Sequence, residues 1–217
     1  MESDPQEIVE EIINKETGEK TIRKYHKMNP SEKNGKKYYK FIDSESQEKF
    51  TAEITPKSEL EKETQKQMFI NGLKIHKSCK HSNIATMKRL FKYKDNYYTL
   101  FEYCKNGTID DLLNERKILT EIEIKYYLKQ LINALLYLHK SKIIHRNLKL
   151  KNILLTKKFE IKLTGFKYSV KKTNDDEKFF DKCGTPKYIA PEIMTENIGY
   201  SYEVDIWALG IIIYKDS

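Results

Sequence analysis

At 217 residues, 39% hydrophobic and 12% aromatic, the chain can bury one compact core or two small ones, which excludes disorder throughout. Its 40 basic and 32 acidic residues leave a formal net charge of +8, but the two signs are interspersed, as on a Lys-rich solvated surface and not as in a nucleic-acid-binding block. Cys79, Cys104 and Cys183 are odd in number and form no C-x-x-C pair, which argues against a disulfide framework or zinc site and for a reducing, intracellular compartment, cytoplasmic or nuclear. The longest apolar runs, such as Ile211 to Tyr214, are far too short for a membrane span, and the N-terminus is acidic, unlike a leader.

Residues Met1 to Glu11 carry five acids and no base, and residues 14–20 are polar, so 1–20 is expected to be an N-terminal extension offering little core. Two β-like runs follow, Lys37 to Asp43 and Glu48 to Pro56, the second alternating Phe50, Ala52 and Ile54, joined through the turn-prone Ser44-Glu45-Ser46. Ser58 with Glu61 has the spacing of a capping box, ahead of a helix with Phe69, Gly72, Leu73 and His76 on one face. Ile84 to Phe91 and Tyr97 to Tyr103 form a second expected hairpin, and Asn106-Gly107 then breaks the chain. The boundary between a first lobe (21–103) and a second (104–217) is placed there. Thr108 with Asp111 and Thr120 with Glu123 are further N-cap signals, the latter opening a helix with Tyr127, Leu131, Leu135 and Leu138 inward. Strands with one helix, followed mainly by helices, make an α+β order.

Three anchors then appear in sequence. Ile143 to Lys158 fits H-R-D-L-x-x-x-N at His145, Arg146, Leu148 and Asn152, with Asn147 in the Asp position. Cys183 to Glu192 ends in Ala-Pro-Glu, and Asp205-Ile-Trp207-Ala-Leu-Gly210 follows. With Phe50 to Ser58, Ile75 to Ser78 and Tyr126-Tyr127-Leu128, these stretches make the chain resemble the protein kinases from about Thr21 onward, most closely the polo-like serine/threonine kinases. The resemblance implies a two-lobe fold: an antiparallel sheet with one helix, then a mainly helical, incomplete second lobe.

Carried over position by position, the resemblance also implies losses. The phosphate-cradling turn falls on residues 31–36, with a single glycine out of place. The Lys that pairs with nucleotide phosphates aligns with Glu53 and its helix partner Glu with Gly72. Reversing one sign turns an attraction of roughly 4 kcal/mol, at about 4 Å and an effective dielectric near 20, into repulsion. Gly165 stands where the metal-binding Asp would be and Lys167 at the final glycine of the same motif, which leaves Asn152 as the remaining magnesium ligand. Asn147 replaces the catalytic base, whereas Lys149 is kept. Glu102, Cys104 and Leu154 take nucleotide-lining positions, with Tyr38, Thr51 and Phe101 expected to fill the adenine pocket. Asp181 aligns with a phosphorylated activation-loop Thr; with Arg146 and Thr185 it forms the expected regulatory set, either as a partial stand-in for phosphate or as one more acid in an acidic loop. Ile206, Leu209, Ile211, Ile212 and Ile213 are expected to expose apolar surface.

The resulting expectation is a kinase-like protein that binds a protein partner, an active kinase or its substrate, without transferring phosphate. No cofactor, nucleic acid or membrane is implied. The competing readings are a residual ATP- and magnesium-dependent serine/threonine kinase, with Lys33, Lys36 or Lys167 substituting for the lost Lys, and a degenerate fragment.

Overall fold

A computed structural model describes residues 6–28 and 38–216. The chain divides into two compact units, one of residues 1–62 and 86–105, the other of 63–85 and 106–217.

The first unit is an antiparallel sheet of β1 (Glu7–Ile13), β2 (Lys20–Lys27), β3 (Tyr38–Asp43), β4 (Lys49–Pro56), β5 (Met87–Tyr93) and β6 (Asn96–Glu102), in the order β1-β2-β3-β4-β6-β5. Both hairpins expected from the alternating runs are present. In the first, Asp43 Oδ1 accepts the N–H groups of Glu45 and Ser46, each at 2.9 Å, which closes the turn locally. Tyr39 and Phe41 of β3 and Phe50 and Ala52 of β4 point into one core, where Phe91 stacks on both Tyr25 and Tyr98 with ring centroids 5.6 Å apart. Residues 7–13 correct the expectation of an extension with little core. β1 pairs with β2 along its length, Ile8 is fully buried, and the buried Glu10 accepts the Tyr25 hydroxyl at 2.6 Å. An acid on the inward face disguised the strand in the sequence, and its hydrogen bond is what makes that burial tolerable.

The second unit contains α1 (Glu63–Ser78), α2 (Ile109–Arg116), α3 (Glu121–Lys140), β7 (Ile143–Ile144), β8 (Ile153–Leu155), β9 (Ile161–Leu163), β10 (Val170–Lys171), α4 (Pro191–Met194) and α5 (Glu203–Asp216). Thr108 and Thr120 cap α2 and α3 with complete capping boxes to Asp111 and Glu123, as the spacing predicts. α3 buries Leu131, Ala134, Leu135 and Leu138 at i, i+3, i+4, i+7, the spacing of one helical face. The Ser58–Glu61 cap does not form: Lys57–Leu60 is a separate 3-10 turn without a side-chain cap, and α1 begins only at Glu63. α1 itself, expected with the first lobe, clusters with the second unit, where Gly72 lets its backbone approach the turn at Phe166. In α5, Leu209 and Ile212 are buried, which corrects their expected exposure, while Ile206, Trp207, Ile213 and Tyr214 do face outward. Among the described residues, no helix is long and apolar enough to cross a membrane.

Candidate functional site

The stretch His145 to Asn152 is positioned by its flanks. β7 pairs with β10 just before it, and β8 pairs with β9 just after. Within it Arg146 adopts φ +60, a left-handed conformation unfavourable for a non-glycine residue. The buried Asp205 at the start of α5 holds that backbone, accepting the His145 N–H on Oδ2 at 2.9 Å and the Arg146 N–H on Oδ1 at 2.8 Å. Asp205 Oδ2 also lies 2.9 Å from His139 Nε2. The His145 ring packs edge-on against Phe166, centroids 4.8 Å apart, with Nε2 bonded to the Thr164 carbonyl at 3.1 Å. Phe166 and His145 therefore pack together in the core of the second unit.

Asn147, Lys149 and Thr185 converge. The Thr185 hydroxyl donates to Asn147 Oδ1 at 2.9 Å and accepts from Lys149 Nζ at 2.9 Å. An amide, a cation and a loop hydroxyl are thus joined by hydrogen bonds, and the amide, at the position where the resemblance places a base, takes up no proton at neutral pH.

Of the two positions at which the resemblance places magnesium ligands, one supplies no side chain and the other a buried amide. Gly165 sits at φ +86, and a Cβ there would lie 2.3 Å from Asn152 Nδ2 and 2.4 Å from its Cγ. Asn152 is fully buried and turns its amide inward, donating from Nδ2 to the Asn147 carbonyl at 2.7 Å. Magnesium is held mainly through carboxylate and phosphate oxygens. Among the described residues, no group of three or more His, Cys, Asp or Glu side chains is placed to hold a metal.

Around Arg146 the segment 166–185 is tied down. The guanidinium donates from Nε to the Tyr168 carbonyl at 2.6 Å, and from one terminal nitrogen to Asp181 Oδ2 at 3.1 Å and the Tyr200 hydroxyl at 2.8 Å. The Tyr200 hydroxyl in turn donates a hydrogen bond to the Asp181 carbonyl at 2.6 Å. Burial works against the Arg146 charge, yet Cys183, Tyr200 and Asp181 around it hold the guanidinium above its ordinary value. The same burial pushes the Cys183 thiol up despite Arg146, so it is no reactive thiolate. Replacing Asp181 by Ala is expected to speed proteolysis within residues 172–185 several-fold under limiting protease; unchanged cutting would mean that the Arg146 pair does not order the loop.

The other positions that the resemblance assigns to a nucleotide are described unit by unit. In the first, Glu53 is half-buried on β4, opposite Tyr38 and Thr99; Glu102 Oε1 accepts the Thr86 N–H at 2.9 Å, and the Cys104 N–H reaches Thr51 Oγ1 at 2.8 Å. Phe101 is buried beside them. Leu154 belongs to the second unit, fully buried on β8 and bridged to Thr108. The turn at 31–36, with Lys33 and Lys36, lies outside the described residues. Sequence reasoning missed Tyr200 and the buried Lys172, whose Nζ donates to the Asp175 carbonyl at 2.6 Å and Ser201 Oγ at 2.9 Å. Neither position falls in a motif, and Tyr200 is 54 residues from its Arg146 partner, so spacing offered no signal.

The sequence profile described as the protein kinase domain matches residues 33–216. The chain belongs to the protein kinase family. Within that family this kinase domain is similar to polo-like serine/threonine kinases. It is 45% identical over 208 residues to the "Probable serine/threonine-protein kinase CCRP1" of Zea mays, covering 95% of this chain and 33% of that protein. It is 44% identical over 165 residues to the "Probable serine/threonine-protein kinase PLK" of Dictyostelium discoideum, covering 76% of this chain and 17% of that one. With the "Serine/threonine-protein kinase polo" of Drosophila melanogaster it shares 38% over 172 residues, 79% of this chain and 30% of that protein. The kinase domain thus spans a third or less of each of these relatives.

Proposed function

We propose that this polo-like kinase domain acts by binding a protein partner, an active kinase or its substrate, and does not itself transfer phosphate. The observation that carries the reading is Gly165: the metal carboxylate is missing, and the space beside it is taken by the Asn152 amide. The amide at Asn147 and the acid at Glu53 agree with it, since they remove a proton acceptor and a phosphate-binding cation. The retained Asn147–Thr185–Lys149 arrangement favours a second reading, weak phosphoryl transfer without a base.

Thermal unfolding with ATP and magnesium separates the two. A nucleotide at a hundred times its dissociation constant adds about 2.7 kcal/mol; no shift is expected, and a shift of that size would overturn the proposal. Asn147→Asp alone is expected to create no activity on a general serine/threonine substrate, and phosphoryl transfer by that single variant would favour the second reading.

A further inference from the structure

Two positions at which the family places catalytic carboxylates are glycines here, and both are glycines that the packing requires. In α1, a Cβ on Gly72 would lie 2.2 Å from the Phe166 carbonyl oxygen and 2.9 Å from Lys167 Cα. Both obstacles are backbone, which cannot swing aside. Gly165, immediately before Phe166, carries the other half: it would drive its own Cβ into the Asn152 amide. That amide is a side-chain end, but it is fully buried and bonded to the Asn147 carbonyl at 2.7 Å, so moving it breaks a buried hydrogen bond. Next to Gly72 along the helix, His76 stacks on the Phe166 ring with centroids 4.2 Å apart and bonds the Ala85 carbonyl through Nε2 at 2.7 Å. The Phe166 ring is thus packed by His76 and His145, while its carbonyl and the residue before it leave no room for a Cβ at Gly72 or Gly165.

We infer that Gly72 and Gly165 are the two halves of one close-packed joint, which fixes α1 on the 165–168 turn through the chain's own packing. The catalytic groups lost from these positions cannot be put back without opening it. The inference deepens the reading proposed above and rests on it for what the joint presents: a surface whose shape is set by the chain's own packing and not by a bound ligand.

Gly72 and Gly210 supply a matched test in the full chain. Both lie inside helices, where Gly→Ala raises stability by propensity alone, and a Cβ on Gly210 meets nothing within 4 Å. Gly210→Ala is expected to leave Tm unchanged or raise it, whereas Gly72→Ala lowers it by about 5 °C or more. Gly165→Ala is expected to lower Tm as well, and the loss to shrink when Asn152→Ala is added, because the two side chains compete for one space. Should Gly72→Ala fail to fold, hydrogen exchange on the unmodified protein without nucleotide reads the same joint: amides of residues 69–76 and 161–168 are expected to become protected and to open together. Gly72→Ala rising with Gly210→Ala, or α1 amides exchanging independently of the turn, would overturn the inference. So would a Gly165→Asp variant that keeps the original Tm and gains stability with magnesium. A nucleotide-dependent shift in the unmodified protein would instead sink the proposed function and leave the joint standing.

Discussion

Asp205→Asn is expected to destabilise the second unit by about 3 kcal/mol or more, though it removes one charge and changes no volume. The carboxylate accepts three bonds on two oxygens: the Arg146 N–H on Oδ1, the His145 N–H and the His139 ring on Oδ2. An amide offers a single oxygen. Whichever way it is turned, its NH₂ faces one of the two buried backbone N–H groups, donor against donor, and the left-handed Arg146 backbone loses half of its anchor. At about 2–4 °C per kcal/mol for a chain of this size, Tm should fall by roughly 6–12 °C, with faster proteolysis near residues 145–147. A loss within about 1 kcal/mol would show that the loop holds its conformation without the carboxylate.

The second large effect is acid sensitivity set by His76. Burial, with a smaller opposing contribution from the Ala85 carbonyl and repulsion from His145, lowers its pKa from 6.5 to about 4. Between those two values the unfolded chain binds a proton that the folded chain refuses, so stability falls as pH falls. The contribution is whole above pH 6.5 and is lost progressively down to about pH 4, by at most about 3–4 kcal/mol at about 1.4 kcal/mol per pH unit. Thermal melts of the unmodified chain and of His76→Leu from pH 7.5 to 4.5 isolate the term. The difference between them is expected to narrow on acidification, because Leu has nothing to protonate. A difference that stays constant with pH would remove His76 as the source.

Much of this architecture was legible in the sequence, for reasons that differ by element. The β3–β4 and β5–β6 hairpins and the caps at Thr108 and Thr120 depend on residues within a few positions of one another, so local spacing reveals them. The identity of the His145–Asn152 loop depends on fixed motif spacing and was equally plain. The buried acid of β1 was not: Glu10 is accommodated by a tyrosine 15 residues away, and nothing near it announces that partner. Nor could spacing reveal why Gly72 and Gly165 are glycines. An alignment presents each as a catalytic group that is gone, whereas the packing presents each as a place with no room for a side chain. Tyr200, Lys172 and the outward or inward sense of the α5 isoleucines belong to the same class, decided by what folds against them.

The β1–β2 hairpin carries a practical consequence for where this domain should be cut. The family pattern begins at residue 33, beyond both strands, yet Ile8 and Tyr25 sit in the centre of the first unit's core, and β2 pairs with β3. A recombinant chain started at the pattern boundary would leave the outer edge of β3 bare and strip Phe91 of one of its two stacked rings. Bare strand edges recruit strands from other molecules. The cut that keeps this sheet and its core whole therefore lies upstream of Glu7.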